Sequence, residues 1–433
     1  MLNQAFMAIW IFVSAAIALV WASRHRQLSR ARRSVRALTP TTYDNPPAAA
    51  PRVSILIAAK DEQDNIAACV RSFLAQDYPD FEVIVANDRS SDRTGTVLAE
   101  IQAQHADRLT IVTIRELRSG WFGKNNAMRE AVAAAGGDYY CFADADCRQT
   151  SPRTLSMAMR EIAEQRIDFL SVLPVLETRS FWERIIQPVC AAIMLLWFHP
   201  DRVNNPRSKA AYANGAFMLM SRSTYARIGG HEAVRQQVNE DTHMARLAKT
   251  AGLRLEVIQN EGLYVTRMYA TFAQAFRGWS RIFYGCFGSV RRVLISLLVL
   301  FVFSIVPWAS LTAVLVSWLA NPALFSDGVW RALGIVAAAG VLFQQVFMIR
   351  FYRLLRIQPA YAFTYPFGAL LGMAMLMNAL LKASGTTSTT WRGTRYRAAR
   401  VDRAPDAVAS AAAAPAVRAP TVLNSDASRA AAH

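Results

Sequence analysis

No glycine stands where a dinucleotide-binding chain would need one. The first strand-like segment ends Ala58-Ala59-Lys60-Asp61-Glu62. A G-x-G-x-x-G turn at that point is what lets backbone approach a pyrophosphate. Walker A is missing as well, so nicotinamide, flavin and P-loop chemistries are disfavoured. Cysteine is scarce. Cys69, Cys141, Cys147, Cys190 and Cys286 are odd in number and none forms C-x-x-C. That argues against a disulfide framework or a zinc site and suits a reducing compartment. Acidic residues number 31 against 48 Lys and Arg, a net charge of +17. Nucleic acid would be one account of such charge, but no zinc-finger spacing or other nucleic-acid motif accompanies it. The basic residues cluster at 24–36, Arg291-Arg292, Arg350–Arg356 and in the tail, beside apolar runs. Basic side chains in such places meet anionic headgroups. The expected partner is a bilayer, not nucleic acid.

Charge is absent from residues 5–22, and Lys, Arg, Asp and Glu are absent from 293–320, 332–349 and 360–381. A helix needs about 20 apolar residues to cross a bilayer. The first run has no positive charge before it and six arginines after it, from Arg24 to Arg36. It therefore reads as an uncleaved anchor rather than a signal peptide. The positive-inside rule then holds residues 24–291 in the cytoplasm, beneath an inner membrane crossed several times. Pro366 and Gly372 interrupt the last run, which makes 360–381 the first suspect for a re-entrant or interfacial segment. Ile185–Phe198 is apolar but only 14 residues long, too short to span. It is either an interfacial helix or a buried core helix.

Between the anchor and the later runs, strand and helix signals alternate. Val53–Ala59, Phe81–Ala86, Leu109–Ile114 and Asp138–Ala143 read as strands, separated by helices over Gln63–Ala75, Asp92–Gln104 and Asn125–Ala135. This pattern predicts an α/β domain with a mainly parallel sheet flanked by helices, which binds ligands beyond the carboxyl ends of its strands. The expected organisation is an anchor over 1–23, a basic juxtamembrane segment and linker over 24–52, a catalytic domain over 53–291, a transmembrane region of about three helices over 292–385, and a basic segment with a disordered tail over 386–433.

Three acidic groups fall at strand ends or in loops: Asp88, the triplet Asp144-Ala145-Asp146, and Glu240-Asp241. Two carboxylates one residue apart suit a hard divalent cation that also takes phosphate oxygens. A nucleotide-sugar donor needs such an ion to neutralise its leaving diphosphate. Asp88 is placed to meet base or ribose. Asp241 is a candidate general base for an acceptor hydroxyl.

Residues 53–292 resemble the inverting glycosyltransferases of family 2, which have a GT-A fold. The motifs that carry the resemblance are LIAAKDEQDNI (56–66), VANDRSSDRT (85–94), FADADC (142–147), NEDTHMA (239–245) and QAFRGWSR (274–281). The resemblance implies that Ala58 and Glu62 line the nucleoside pocket, that Asp88 contacts the base, and that Asp144 touches ribose or diphosphate. It implies a Mg or Mn ion on Asp146 and Asp144, with Asp241 as base beside Glu240. Gln274, Arg277 and Trp279 match the late motif near diphosphate and acceptor. Two departures stand out: Asp61 replaces the usual Asn, and Gly278 intrudes into Q-x-x-R-W, so either Arg277 or Arg281 is the functional arginine. Gly120–Ala127 is similar to the W-x-G-K segment of membrane-bound hopanoid-associated, carotenoid-modifying and ceramide glucosyltransferase-like enzymes, which puts Lys124 near the diphosphate. Thr390–Tyr396 resembles their late segment. The reading is sugar transfer to a membrane lipid or lipid-like acceptor. A processive polysaccharide synthase, or an inactive membrane scaffold with a GT-A domain, are the alternatives.

Overall fold

The computed structural model describes residues 2–34, 36–326, 328–383, 389–391 and 394–396. Residues from 397 onward, which include the tail expected to be disordered, lie outside the described residues, as do Arg392 and Gly393 of the late segment. An eight-stranded sheet forms the centre of the domain. In chain order its strands are β1 (Ala37–Leu38), β2 (Val53–Ala59), β3 (Phe81–Asp88), β4 (Leu109–Ile114), β5 (Tyr139–Asp144), β6 (Phe169–Leu173), β7 (Met218–Ser221) and β8 (Leu255–Asn260). Across the sheet the order is β1-β8-β6-β7-β5-β2-β3-β4. All neighbours are parallel except β7, which runs antiparallel between β5 and β6.

Val53, Ile55, Leu56 and Ile57 are fully buried, as befits a strand covered on both faces. One face carries α2 (Ile66–Leu74), α3 (Thr94–Gln102) and α5 (Thr154–Gln165), which pack on Ile55, Ile57 and Val85. The other carries α4 (Gly123–Ala133), which packs on Leu56, Ile84 and Phe142. The expected α/β class is what forms, and each of the four expected strands lies within two residues of its predicted ends.

The remaining long helices are α6 (Phe181–Trp197), α7 (Glu240–Thr250), α8 (Phe272–Phe287), α9 (Val290–Leu300), α10 (Val306–Ala320), α11 (Gly328–Leu354) and α12 (Tyr365–Ala383). A helix running N-terminal to α2, α1 (Leu2–Ser34), packs on this group: the Trp21 indole donates to the Phe303 carbonyl at 3.0 Å, and Arg350 donates to Ser29 Oγ at 2.7 Å. A π turn over Phe301–Ile305 joins α9 to α10, where Pro307 lacks the N–H an α-turn would use.

Five stretches among the described residues are long and apolar enough to cross a membrane: Gln4–Ser29, Phe181–Val203, Val290–Ala320, Gly328–Leu354 and Pro359–Ala383. Phe12, Leu19, Leu298, Leu319 and Ile335 on them are largely exposed, as lipid-facing side chains are. The second stretch had looked too short to span. It gains its length from the short helix Pro200–Val203 that follows α6. Its connections argue against a crossing, because β6 before it and β7 after it belong to one sheet. The fifth stretch contains no break at Gly372. Pro366 sits in the first turn of α12, where its missing N–H is harmless. Gly368 and Gly372 instead form a notch: a Cβ on Gly368 would lie 2.6 Å from the Ile185 carbonyl oxygen, and one on Gly372 2.9 Å from Val189. Such small-residue pairs let two helices meet backbone to backbone.

Candidate active site

The strand ends set the stage. Ala58 is in register with Ala86 on one side and with Asp144 on the other, so Asp88 and Asp144 leave the sheet along the same edge. After β2 the chain turns through Asp61 at φ 53°, a left-handed conformation that Asn and Asp tolerate. Asp61 Oδ1 accepts from the Ser91 N–H at 2.7 Å and from its hydroxyl at 3.1 Å. The side-chain oxygen thus stitches two loops together, a role the carboxamide oxygen of the expected Asn could fill as well. Asp88 is buried, and both of its oxygens accept from Arg89, at 2.7 and 2.8 Å.

Lys124, in the first turn of α4, is the hub of the acidic constellation. Its Nζ lies 2.6 Å from Asp144 Oδ1 and 2.7 Å from Glu240 Oε1. Burial alone would favour the neutral amine, but the charges of Asp144, Glu240 and Asp241 outweigh it and hold the ammonium well above its usual range. Asp241 accepts from the Gly215 N–H at 3.0 Å and from the Thr242 N–H at 2.6 Å. Burial first, and then the neighbouring Glu240, push its carboxyl up to about 7, against the pull of Lys124. A carboxyl poised near neutrality is matched to proton abstraction.

Helix α8 supplies the late motif, with a division of labour hidden from the sequence. Gln274 Oε1 accepts from the N–H groups of Ala270 and Thr271, at 3.0 and 3.2 Å, and closes a capping box with Thr271. Its amide oxygen therefore serves the helix start. The intrusive Gly278 has a packing reason: a Cβ there would sit 2.1 Å from the Tyr269 ring. Glycine lets the hydroxyl end of that ring approach the helix backbone.

Two cavities meet here. The first, of about 840 Å³, is polar. Ala58, Glu62, Asp88, Asp144, Asp146, Gln274 and Arg277 line it, as does Lys124. Its lining also carries basic groups: Arg277 and Arg281 one turn apart on α8, and Lys382 with Asn378 on α12. The second, of about 400 Å³, holds Glu240, Asp241 and Trp279 and then runs along carbon-rich walls built by Met194, Leu195, Phe198, Phe351, Leu354 and Ile357. Lys124, Asp144, Met268, Tyr269 and Arg281 border both. The expected residues thus converge, with Trp279 on the apolar side rather than beside Gln274. Sequence reasoning missed Tyr269, Asn378 and Lys382. A polar pair four residues apart inside an apolar run was the available signal for the last two.

A divalent cation fits the donor set. Asp144 and Asp146 are hard oxygen ligands on one cavity wall, and Mg²⁺ ordinarily takes one or two carboxylates and completes its shell with phosphate oxygens and water. No cluster of three His, Cys, Asp or Glu able to hold a metal by itself occurs among the described residues.

Comparison with known proteins gives relatives for this arrangement. A beta-monoglucosyldiacylglycerol synthase from Trichormus variabilis is 35% identical over 107 residues, which cover 24% of this chain and 22% of that one. A poly-beta-1,6-N-acetyl-D-glucosamine synthase from Staphylococcus epidermidis is 30% identical over 94 residues, 22% of this chain and 21% of that one. The chain thus spans about a fifth of the length of these curated relatives. Among solved structures, a mannosyltransferase from Pyrobaculum calidifontis in complex with GDP-Man and Mn²⁺ is 19% identical, with 85% of this chain and 98% of that chain covered and a TM-score of 0.48. The family model described as Glycosyl transferase family 21 matches residues 8–404. The motifs had suggested a glycosyltransferase of family 2 with a GT-A fold; the enzyme class and fold stand, and the family number is 21. That match takes in the N-terminal helix, every strand-end carboxylate, the Lys124 hub and α12, so the chain belongs to glycosyl transferase family 21.

Proposed function

We propose that this enzyme transfers a sugar, with inversion, from a nucleotide-diphosphate-sugar to a membrane lipid. The observation that carries the proposal is the meeting of a polar and an apolar cavity at Lys124, Asp144 and Tyr269. Both volumes lie in or near the range of small-molecule sites. The donor occupies the polar cavity, with Glu62 and Asp88 toward its nucleoside and Arg277, Arg281 and Lys382 toward its diphosphate. A Mg or Mn ion on Asp144 and Asp146 would supply charge neutralisation for the departing diphosphate. The acceptor's chain lies in the apolar cavity and brings its hydroxyl to Asp241. Asp241 takes the hydroxyl proton as the acceptor oxygen bonds to the anomeric carbon. The bond from that carbon to the phosphate oxygen breaks, and its electron pair leaves with the diphosphate. Lys124 holds Asp144 and Glu240 in place and keeps Glu240 paired, which leaves Asp241 as base. A carbon-lined acceptor cavity favours a lipid over a growing polysaccharide.

The membrane arrangement follows from where helix ends fall. Arg24 and Arg26 follow the apolar part of α1, Arg291 and Arg292 open α9, and Arg350–Arg356 close α11, a distribution that supports a catalytic domain on the cytoplasmic side of the inner membrane. Helix α12 touches the domain at both ends. Arg184 of α6 donates to the Tyr361 hydroxyl at 2.9 Å just before α12 begins, and Lys382 lines the donor cavity where it ends. A crossing of about 28 Å, at 1.5 Å per residue, would carry one end away. We therefore assign three crossings, α1, α9–α10 and α11, with α6 and α12 side by side in the interface. Exposed Phe367, Leu370, Met377 and Leu381 form the lipid-facing stripe of the second, which Phe363 in the turn before it continues.

The test is mass spectrometry of lipids from cells with the wild-type chain, with Asp241→Asn, and with neither. A glycolipid one sugar heavier than its precursor, present only with the wild type, is expected. A ladder of sugars would establish the processive alternative, and no difference would leave the inactive scaffold.

A further inference from the structure

Away from both cavities, arginines crowd the point where α9 meets the bilayer. Arg291 and Arg292 open α9, Arg202 belongs to the short helix Pro200–Val203 that follows α6, and Arg246 belongs to α7. One hydrogen bond brings the first three together. The Trp197 indole donates to Ser296 Oγ at 2.8 Å, which ties the end of α6 to the first turns of α9. The Arg292 guanidinium then lies 5.4 Å from the centre of the Trp197 ring, and the charges of Arg202 and Arg291 oppose its own. Arg246 and Arg292 repel each other in the same way. No carboxylate answers this charge. Among the described residues none comes within ion-pair distance of these arginines, and Asp201, beside Arg202 in the chain, lies 3.5 Å from His199 instead.

Packing uses only part of what the cluster offers. Arg246 donates to the Cys286 carbonyl at 2.6 Å and Arg292 to the Phe287 carbonyl at 3.2 Å, at the end of α8. A guanidinium has five N–H donors in a rigid fork, so most stay available. Ser289 gives α9 no side-chain cap, which leaves the first N–H groups of that helix open beside the arginines. Uncompensated guanidinium forks next to an open helix start suit a phosphate. The helix also indicates which kind. Leu294 and Leu298 follow Arg291 by three and seven residues, on one face, and both are largely exposed. A phosphate at Arg291 thus has a carbon stripe below it that runs into the bilayer. A zwitterionic headgroup would bring its own cation to a site crowded with cations. A headgroup of net negative charge brings none.

We infer that Arg202, Arg291 and Arg292, with the start of α9, form a binding site for the phosphate of an anionic glycerophospholipid, whose acyl chain runs along Leu294 and Leu298. The bound lipid is neither donor nor acceptor of sugar. It supplies the counter-charge that the protein omits and holds the end of α6 against α9. The inference rests on α9 entering the bilayer near Val293 and is independent of the sugar-transfer reading.

The experiment titrates the full chain, delipidated in detergent, with phosphatidylglycerol or phosphatidylcholine and counts bound lipid by native mass spectrometry. The wild type should retain one phosphatidylglycerol at least roughly tenfold more tightly than phosphatidylcholine. The double variant Arg202→Gln/Arg291→Gln, which spares the cap made by Arg292, should bind phosphatidylglycerol roughly 30-fold more weakly, about fivefold for each arginine at a membrane surface. Its binding of phosphatidylcholine should not change. Arg24→Gln/Arg26→Gln removes the same charge from the end of another apolar run and should alter phosphatidylglycerol binding by less than about threefold. In lipid-free detergent the Arg202→Gln/Arg291→Gln chain should unfold at the wild-type temperature or above, because it relieves repulsion; added phosphatidylglycerol should raise that temperature for the wild type alone. A lower lipid-free temperature would mark the pair as structural and count against the site. No headgroup preference in the wild type, or equal losses from the two double variants, overturns the inference and reduces the cluster to a general attraction for negative surfaces. Displacement of the lipid by inorganic phosphate or glycerol 3-phosphate at equal concentration overturns it too, and assigns the site to a free anion.

Discussion

At the scale of single residues, the site depends on charge balance around Lys124. As the proposed base, Asp241 would have to be ionised to accept a proton, and burial with the Glu240 charge pushes its carboxyl up to about 7. Activity should therefore fall on the acid side of about pH 7. Glu240→Gln removes the charge that opposes ionisation, so the acid limb of kcat/KM should move to lower pH; an unmoved limb would assign it to another group. Asp241→Asn should lower kcat by about 10³-fold while nucleoside-diphosphate binding with Mn²⁺ persists. Gly278→Ala makes a different point. Its methyl group would drive into the Tyr269 ring that borders both cavities. Displacing a positioning group by about 1 Å can cost 10²-fold in kcat/KM. A drop of that order is expected with near-normal thermal stability, since the clashing atoms are the far end of a side chain that lines both cavities. The sequence displayed this glycine as an interruption of a motif. Its cause was invisible, because Tyr269 lies nine residues away on a different segment and only the fold brings the ring over it.

At the scale of elements, the strands were legible because each is a short apolar run bounded by polar turns, and a doubly covered sheet tolerates little else. The D-x-D triplet and the Glu-Asp pair were legible from their chemistry. The ion pairs of Lys124 with both Asp144 and Glu240 were not, because Glu240 lies more than a hundred residues beyond Lys124 in the chain. The docking of α12 on α6 was also hidden: Gly372 looked like a break in a helix when it is half of a packing notch. Gly368→Val should test it. A side chain driven against the Ile185 carbonyl should cost about 1–3 kcal/mol, typical of overpacking, and lower the unfolding temperature in detergent. The variant should also weaken nucleoside-diphosphate binding, since α12 carries Asn378 and Lys382. A loss of stability with donor binding untouched would separate the notch from the site.

For the whole molecule, the three crossings proposed above would leave Arg395 on the same side as Arg24 and Arg26, in keeping with the positive-inside trend. The apolar runs were readable as runs; whether each one crosses depends on where its ends attach, which hydropathy does not encode. The five native cysteines are all buried and unbridged. A cysteine introduced by Thr389→Cys should therefore be the reactive thiol, labelled by impermeant reagents from the cytoplasmic side of inverted vesicles and protected in intact cells. Labelling in intact cells would restore a fourth crossing.

The notch between α6 and α12 has a consequence for biogenesis. The strands that present Asp88 and Asp144 emerge from the ribosome long before residue 382, whose side chain closes the donor cavity. A nascent or truncated chain can fold its sheet and still lack one wall of the nucleotide site. On the proposed reading, competence to bind donor would be deferred until α12 has docked on α6, because a chain that ends before α12 lacks Asn378 and Lys382 of that cavity.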